Sequence, residues 1–494
     1  MKVVLVAPPI MDYRDGQLRS IAMDAVRECP PYGIYSLASI LSGIGHQVVM
    51  ADLIALGSND MQPFQPDLQD CDLVGIGATT LSWPTACDVI AQLRKIRPDL
   101  PIVLGGIHPT MFDRYILGNF PVQFVIRGEG EIALPALCRA LESGQDPAQV
   151  PNLSWKDREG GIVRNPLGPL ISRHKLASYP LPDYGKLPSG VYKTLSIESS
   201  RGCAYDCSFC STSYRRSWRG IPAKSFVDRL TLVMEHLPRA QHRIIHIVDD
   251  EFSTNPRRAM AIVELMARRG LAPELVYDSR ATDLIADGFV SSMAHLTHRL
   301  LVGAECGYDE GLRRIGKGTS CQTLEQAART LYAHGISERA DFSFILGLPW
   351  ETRTEVEKTI RFAMSLLGKY GVRVLLQWYC EIPGSRLWEQ HRQRQLVTEA
   401  MYDDYGFFRN LYLFRSGVAV LPNDIWEIND ILEKLLFVTR VNYRNDKMME
   451  FALPDPIGAY FPQQKSLEDE TGLKSLREVA KPRISGELPL RRIS

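Results

Sequence analysis

Ser200-Arg201-Gly202-Cys203-Ala204-Tyr205-Asp206-Cys207-Ser208-Phe209-Cys210 sets three cysteines in the spacing C-x3-C-x2-C. Three thiolates on one tight loop can hold three corners of a cubane iron–sulfur cluster, leaving the fourth iron open to a substrate or cofactor. Zinc or unrelated core cysteines are the alternatives, but a zinc site commonly takes four protein ligands. No second C-x2-C pair exists, and the candidates for a fourth ligand, His236, His242 and His246, lie outside the loop. The remaining cysteines are scattered, a pattern of a reducing compartment and not of a disulfide framework.

Outward from this loop the chain alternates apolar runs with helical patterns. Residues 194–200, 243–252, 274–282, 299–307, 340–349 and 372–383 read as strands, with helices at 223–237, 255–269, 283–296, 321–334, 353–370 and 385–395. Six such units predict a partial barrel, in which chemistry gathers at the carboxyl ends of the strands. The cysteine loop directly follows the first of them.

Toward the amino terminus, runs at 2–9, 47–53, 73–80, 101–108 and 123–129 are nearly continuous in apolar character, as strands buried on both faces require. Helical patterns at 33–44, 83–97 and 131–143 complete a doubly wound, flavodoxin-like unit. The first run precedes a Pro pair and charged residues, so it reads as a strand and not as a leader peptide. The fold class is therefore α/β, with expected boundaries at 1–145 for the doubly wound domain, 146–190 for a linker holding a small hairpin, 191–400 for the barrel, and 401–494 for a mostly helical extension. A helix is expected at 426–443, followed by a polar, flexible tail.

The motif C-x3-C-x-aromatic-C, with Phe209 before Cys210, resembles the radical S-adenosylmethionine (radical SAM) superfamily across about 191–400. The resemblance implies that Cys203, Cys207 and Cys210 hold a [4Fe-4S] cluster whose open iron chelates SAM. It implies SAM contacts from Phe209, from Asp250 and Glu251 at the methionine amino end, from Ser279 and Arg280 at the carboxylate, and from Glu305 at the ribose. Asp249 shares the acidic strand end, which also reads as a solvated loop. Gly347-Leu-Pro-Trp-Glu-Thr resembles the family's G-x-P-G-E-T turn with Trp350 in place of Gly, and Ile382-Pro-Gly-Ser-Arg-Leu-Trp resembles its P-G-T-x-L turn. Both read as scaffold. Gly316-Lys317-Gly318-Thr319 is no full P-loop and reads as a loop near the site.

A doubly wound domain ahead of such a barrel resembles the cobalamin (B12)-binding radical SAM enzymes. Glycine-rich strand ends let backbone approach a large flat ligand outside the carboxyl edge of an open sheet. The resemblance implies cobalamin contacts from Tyr32, Gly33, Thr79, Thr80, Gly105, Gly106, His108, Pro109, Thr110, Gly128, Glu129 and Gly130. The usual D-x-H-x-x-G motif is missing, so no histidine ligand to cobalt is assigned. His108 could line the corrin or cap a strand end.

These features point to a methyltransferase acting on a poorly nucleophilic carbon of a small molecule, by way of methylcobalamin and a 5′-deoxyadenosyl radical. A rearrangement, ring contraction or oxidative cyclisation is the alternative, and a non-catalytic cobalamin-binding protein the weaker one. An RNA-modifying methylthiotransferase would need a second three-cysteine domain and a terminal RNA-binding barrel. Tyr205, Tyr214 and Trp218 would shape the cavity, and Arg215, Arg216 and Arg219 either bind an acidic substrate or redox partner or form a solvated patch. Lys plus Arg and Asp plus Glu are both 57, so no basic surplus argues for nucleic acid. No apolar run approaches a membrane span. A cytoplasmic enzyme reduced by a flavodoxin or ferredoxin is expected.

Overall fold

The computed structural model describes residues 1–14, 17–20, 29–212, 214–403, 405, 419–421, 423–425, 427–428 and 432. The expected helix at 426–443 and the tail after it lie almost wholly outside the described residues.

The first sheet is built on Lys2–Ala7, whose side chains Val3, Val4, Leu5 and Val6 are at most 2% exposed. It lies between Gln47–Asp52 and Leu73–Gly77, and Ile102–Gly105 and Phe124–Ile126 follow, all parallel. The spatial order second–first–third–fourth–fifth is that of a flavodoxin-like sheet, which switches direction beside the first strand. Leu153–Lys156 and Ile162–Arg164 form the expected hairpin, and it extends this sheet antiparallel from Phe124–Ile126.

The expected fourth strand, 101–108, is shorter than the apolar run. The fourth strand ends at Gly105, and a helix absent from the sequence reading, Ile107–Asn119, begins two residues on. The break is steric. Gly106 has φ +98°, and a Cβ there would lie 2.4 Å from the Ala78 carbonyl oxygen.

The second sheet carries six parallel strands in chain order: Leu195–Ile197, Ile244–Ile247, Glu274–Ser279, Thr297–Glu305, Ala340–Leu346 and Arg373–Trp378. Helices Ala223–Glu235, Pro256–Arg268, Cys321–Ala333, Arg353–Tyr370 and Arg386–Gln393 stand where the periodicity places them. The helix expected at 283–296 is instead two short pieces, Ala281–Leu284 and Phe289–Met293, divided at Gly288 with φ +77°.

The Gly347-Leu-Pro-Trp-Glu-Thr turn closes on Glu351, which is fully buried. Its carboxylate accepts from Gly347 N (2.8 Å), Leu348 N (3.0 Å) and Tyr308 Oη (2.8 Å). Trp350, in the place of a glycine, donates its indole N–H to the same Tyr308 oxygen at 3.2 Å. Burial outweighs the three donors and pushes Glu351 up to about 7. A carboxyl raised above its unfolded value favours folding fully below that value and loses the contribution as pH climbs through 7. Glu351→Gln is expected to flatten this pH slope, seen as a smaller difference between denaturant midpoints at about pH 5 and about pH 8.

The two sheets share one continuous apolar cluster, running from Val4 and Ile76 to Phe342 and Leu376. Polar links cross the same junction. Tyr192, next to the barrel's first strand, donates to Asp52 at 2.5 Å, and Ser196 Oγ donates to the Pro30 carbonyl at 3.0 Å. The carboxyl edges of both sheets thereby face a common space.

Candidate functional site

The cysteine loop leaves the first barrel strand through Ser199 and Ser200. Asp249 pins that exit: it accepts both backbone N–H groups (2.7 and 2.9 Å) and both hydroxyls (2.5 and 2.6 Å). This fully committed carboxylate is a strut, not a solvated acid. Gly202, φ +80°, turns the chain where a Cβ would meet the Ser217 carbonyl oxygen at 2.8 Å. The loop is then clamped by Ser208 N donating to Ile315 O (2.8 Å) and by Leu387 N donating to Ser208 O (3.0 Å).

Cys207 is buried, while Cys203 and Cys210 are partly exposed. Burial pushes the Cys203 thiol up to about 11, so metal binding there displaces a proton. Arg280 Nη1 lies 3.8 Å from Cys207 Sγ, and the Gly316 carbonyl oxygen 3.9 Å from it. Three thiols on one clamped loop are a donor set suited to an iron–sulfur cluster. His236, one candidate for a zinc alternative, packs against Tyr184 with ring centroids 5.9 Å apart. Among the described residues no group of three or more His, Cys, Asp or Glu gathers round a single ion.

The strand-end residues expected to meet SAM surround this loop. The Arg280 guanidinium stacks 3.7 Å over the Tyr205 ring and donates to the Lys317 carbonyl. Lys317 Nζ lies 2.7 Å from Glu305 Oε1 and 5.9 Å from the Phe209 ring centroid. Glu305 is held at φ +66°, a conformation uncommon outside glycine. Ser253 Oγ connects Glu251 (2.6 Å), Ser279 (2.8 Å) and Asp283 (2.9 Å). Burial pushes Glu251 up to about 8. Asp250 accepts from Thr212 Oγ1 at 3.1 Å, and burial raises it as well. Acidic groups beside two buried cations, Arg280 and Lys317, match an amino acid zwitterion that also carries a sulfonium. Lys317 was legible only as part of a nearby loop. Its signal is the pair of flanking glycines, Gly316 and Gly318, at φ +69° and +67°.

Between the sheets lies a cavity of ≈ 760 Å³, within the range of cofactor sites. Of the residues expected to meet cobalamin, Tyr32, Gly33, Thr79, Gly105, Gly106, Thr110, Gly128, Glu129 and Gly130 line it, whereas Thr80, His108 and Pro109 do not. The barrel closes the other side with Glu198, Ser200, Arg201, Thr212, Tyr214 and Asp250. Nothing lies within 4 Å of a Cβ placed on Gly33 or Gly105. A flat ligand could therefore approach the backbone there. His108 turns away from the cavity, is fully buried and stacks on Trp83 with centroids 4.7 Å apart. Burial drives its pKa down to about 3.

An ion network at the cavity rim escaped the sequence reading. Glu129 Oε1 takes Arg201 (3.0 Å) and Arg219 (2.7 Å), and its Oε2 accepts Ile171 N at 2.7 Å. Arg201 also pairs with Glu131 and with Glu198, both at 2.7 Å. Arg219 is thus committed to Glu129 and is no open site for an acidic substrate. Tyr214 lines the cavity with Arg219 5.0 Å over its ring. Trp218 packs instead against Arg258, 5.7 Å from its ring. Glu129→Ala leaves Arg201 paired with Glu131 and Glu198 but takes the carboxylate from the half-buried Arg219, and should cost about 1–3 kcal/mol. Denaturant unfolding would measure it, with Glu129→Gln intermediate.

A doubly wound domain and a six-stranded half-barrel closing on one cavity, with a three-thiol loop beside it, define an enzyme that combines two large cofactors. Comparison with known proteins agrees. Residues 197–363 match the radical SAM superfamily and residues 19–138 the B12 binding domain. The uncharacterized methyltransferase PH0819 of Pyrococcus horikoshii is 31% identical over 423 residues, 82% of this chain and 86% of that one. The anaerobic magnesium-protoporphyrin IX monomethyl ester cyclase of a Synechocystis strain is 26% identical, covering 63% of each chain. The solved cobalamin-dependent SAM radical enzyme OxsB, with aqua-cobalamin and SAM bound, superposes with a TM-score of 0.64 at 17% identity, over 87% of this chain and 67% of that one. That likeness is one of fold. The chain belongs to the cobalamin-binding radical SAM enzymes, and its cofactors are a [4Fe-4S] cluster, SAM and cobalamin.

Proposed function

We propose that the protein is a C-methyltransferase that acts on a small molecule at a carbon too weakly nucleophilic for direct transfer from SAM. The observation that carries this reading is the shared cavity. One wall is the glycine-rich carboxyl edge of the doubly wound sheet, and the other is barrel residues beside the cysteine loop. When bound, the cofactors supply the carbon radical and the methyl group, which is chemistry no side chain can perform.

The chain's own contribution is placement. Cys203, Cys207 and Cys210 hold the cluster, and the hydrogen bonds of Asp249, Ile315 and Leu387 fix their loop. Asp250 and Glu251 face the amino end of SAM, Ser279 and Arg280 the carboxylate, and Glu305 the ribose, for which Lys317 must loosen its hold. Tyr32, Gly33, Thr79, Gly105, Gly106, Thr110 and the backbone of 128–130 receive the corrin. The Glu129–Arg201–Arg219 network closes the rim and keeps water from the reacting centre. A soluble one-electron donor completes the set of partners. Among the described residues no helix is long and apolar enough to cross a membrane.

The methyltransferase relative favours this reading, and the cyclase relative supports an oxidative cyclisation as the second. Product mass separates them. Anaerobic turnover with SAM, cobalamin and reductant is expected to add one CH2 to the substrate. A product lighter by two hydrogens, or of unchanged mass, would replace methyl transfer by cyclisation or rearrangement.

A further inference from the structure

We propose that the surface formed by Asp206, Arg215, Arg216 and Arg386 is the docking face for an acidic one-electron carrier protein of the flavodoxin type. This rests on the reading of Cys203, Cys207 and Cys210 as cluster ligands. It adds where the reducing electron enters.

Asp206 immediately precedes Cys207, and Arg386 Nη2 donates to its backbone carbonyl at 2.7 Å. A Cβ on Gly316, whose carbonyl oxygen lies 3.9 Å from Cys207 Sγ, would meet Arg386 Nη2 at 3.6 Å. A single layer of backbone thus separates the buried thiol from the Arg386 guanidinium. Thr212 and Tyr214, farther along the same loop, line the cavity instead. The carrier and the substrate therefore have separate approaches.

The whole chain is formally neutral, with 57 basic and 57 acidic residues. Here three guanidiniums converge on one carboxylate: Arg216 at 2.8 Å, Arg215 at 3.5 Å and Arg386 at 3.8 Å from Asp206. The surplus is positive and accessible, with Arg216 74% and Arg386 50% exposed. The adjoining helix Asp309–Arg314 adds Arg313, paired with Glu310, and Arg314, stacked 4.2 Å over Trp350. It does not cancel the surplus. Arg216 is held at φ +57° by Ser217 N donating to the Cys203 carbonyl (3.2 Å), which ties this arginine to the cysteine loop. A cationic patch of this kind steers an acidic protein and orients it on arrival. One electron then passes from the carrier's reduced flavin to the cluster. The flavin is oxidised by one electron, and no bond forms or breaks.

The test uses reconstituted holoenzyme and reduced flavodoxin, following the cluster's visible absorbance in a stopped-flow instrument. The second-order rate should fall as salt rises, and Arg216→Glu should lower it roughly tenfold, with Arg216→Lys close to wild type. Arg386→Gln should lower it less. Photoreduced deazariboflavin, a small neutral reductant, should bleach all forms equally. A rate insensitive to salt and to Arg216→Glu overturns the docking face. Wild-type protein without iron–sulfur absorbance, or one that deazariboflavin cannot bleach, overturns the cluster assignment and the docking face with it.

Discussion

Replacement of Cys203, Cys207 and Cys210 by Ala is expected to abolish reductive cleavage of SAM while cobalamin remains bound. Losing a group that merely orients a metal ligand already costs 10- to 100-fold, so losing a ligand itself should exceed about 100-fold for each single variant. Cobalamin retention follows from the architecture. The predicted corrin contacts lie on the doubly wound sheet, and among the described residues the cysteine loop and its stem line the cavity through Ser200, Arg201, Thr212 and Tyr214, not through the thiols. The loop's anchors, Asp249 and the Ile315 carbonyl, do not depend on the thiols. 5′-Deoxyadenosine, iron and corrin should be assayed on the same preparation. A triple variant that still forms 5′-deoxyadenosine would remove these residues as ligands, and one that loses corrin would show that the two halves do not load independently.

The second large effect is expected from Gly105→Leu. Nothing stands within 4 Å of a Cβ at Gly105, and the residue lines the cavity. A leucine can therefore enter without collision and take up ligand space. Overfilling a packed site costs about 1–3 kcal/mol, equivalent to a roughly fivefold to 150-fold loss of cobalamin affinity. The melting temperature of the apoprotein should barely move. Gly106→Ala provides the contrast, because its Cβ collides with the Ala78 carbonyl oxygen and its φ is positive. That variant should lose stability first and cobalamin as a consequence. Equal cobalamin affinity for wild type and Gly105→Leu would move the corrin away from this edge.

Much of the architecture could be read from the chain because parallel strands are buried on both faces and announce themselves as apolar runs. The helix Ile107–Asn119 was missed for the same reason: the run from Ile102 stays apolar through Ile107, and only the backbone torsion of Gly106 ends it. His108 sits on the first turn of that helix, and its spacing could not reveal that the ring faces Trp83. The cysteine trio was visible because its three members lie close together in sequence. The ion network was not, because Glu129 and Arg201 are 72 residues apart and nothing local marks them as partners.

Arg201 stands two residues before Cys203 and grips Glu129 and Glu131 of the opposite half. The stem of the cysteine loop is therefore fastened to the strand-end loop that borders the cavity proposed for the corrin. Exchanging barrels between relatives to change substrate would sever this clasp unless both acids and both arginines travel together. A working chimera must inherit the junction as a unit, so the seam for such engineering falls outside residues 129–219 and not in the stretch that sequence alone marks as a linker.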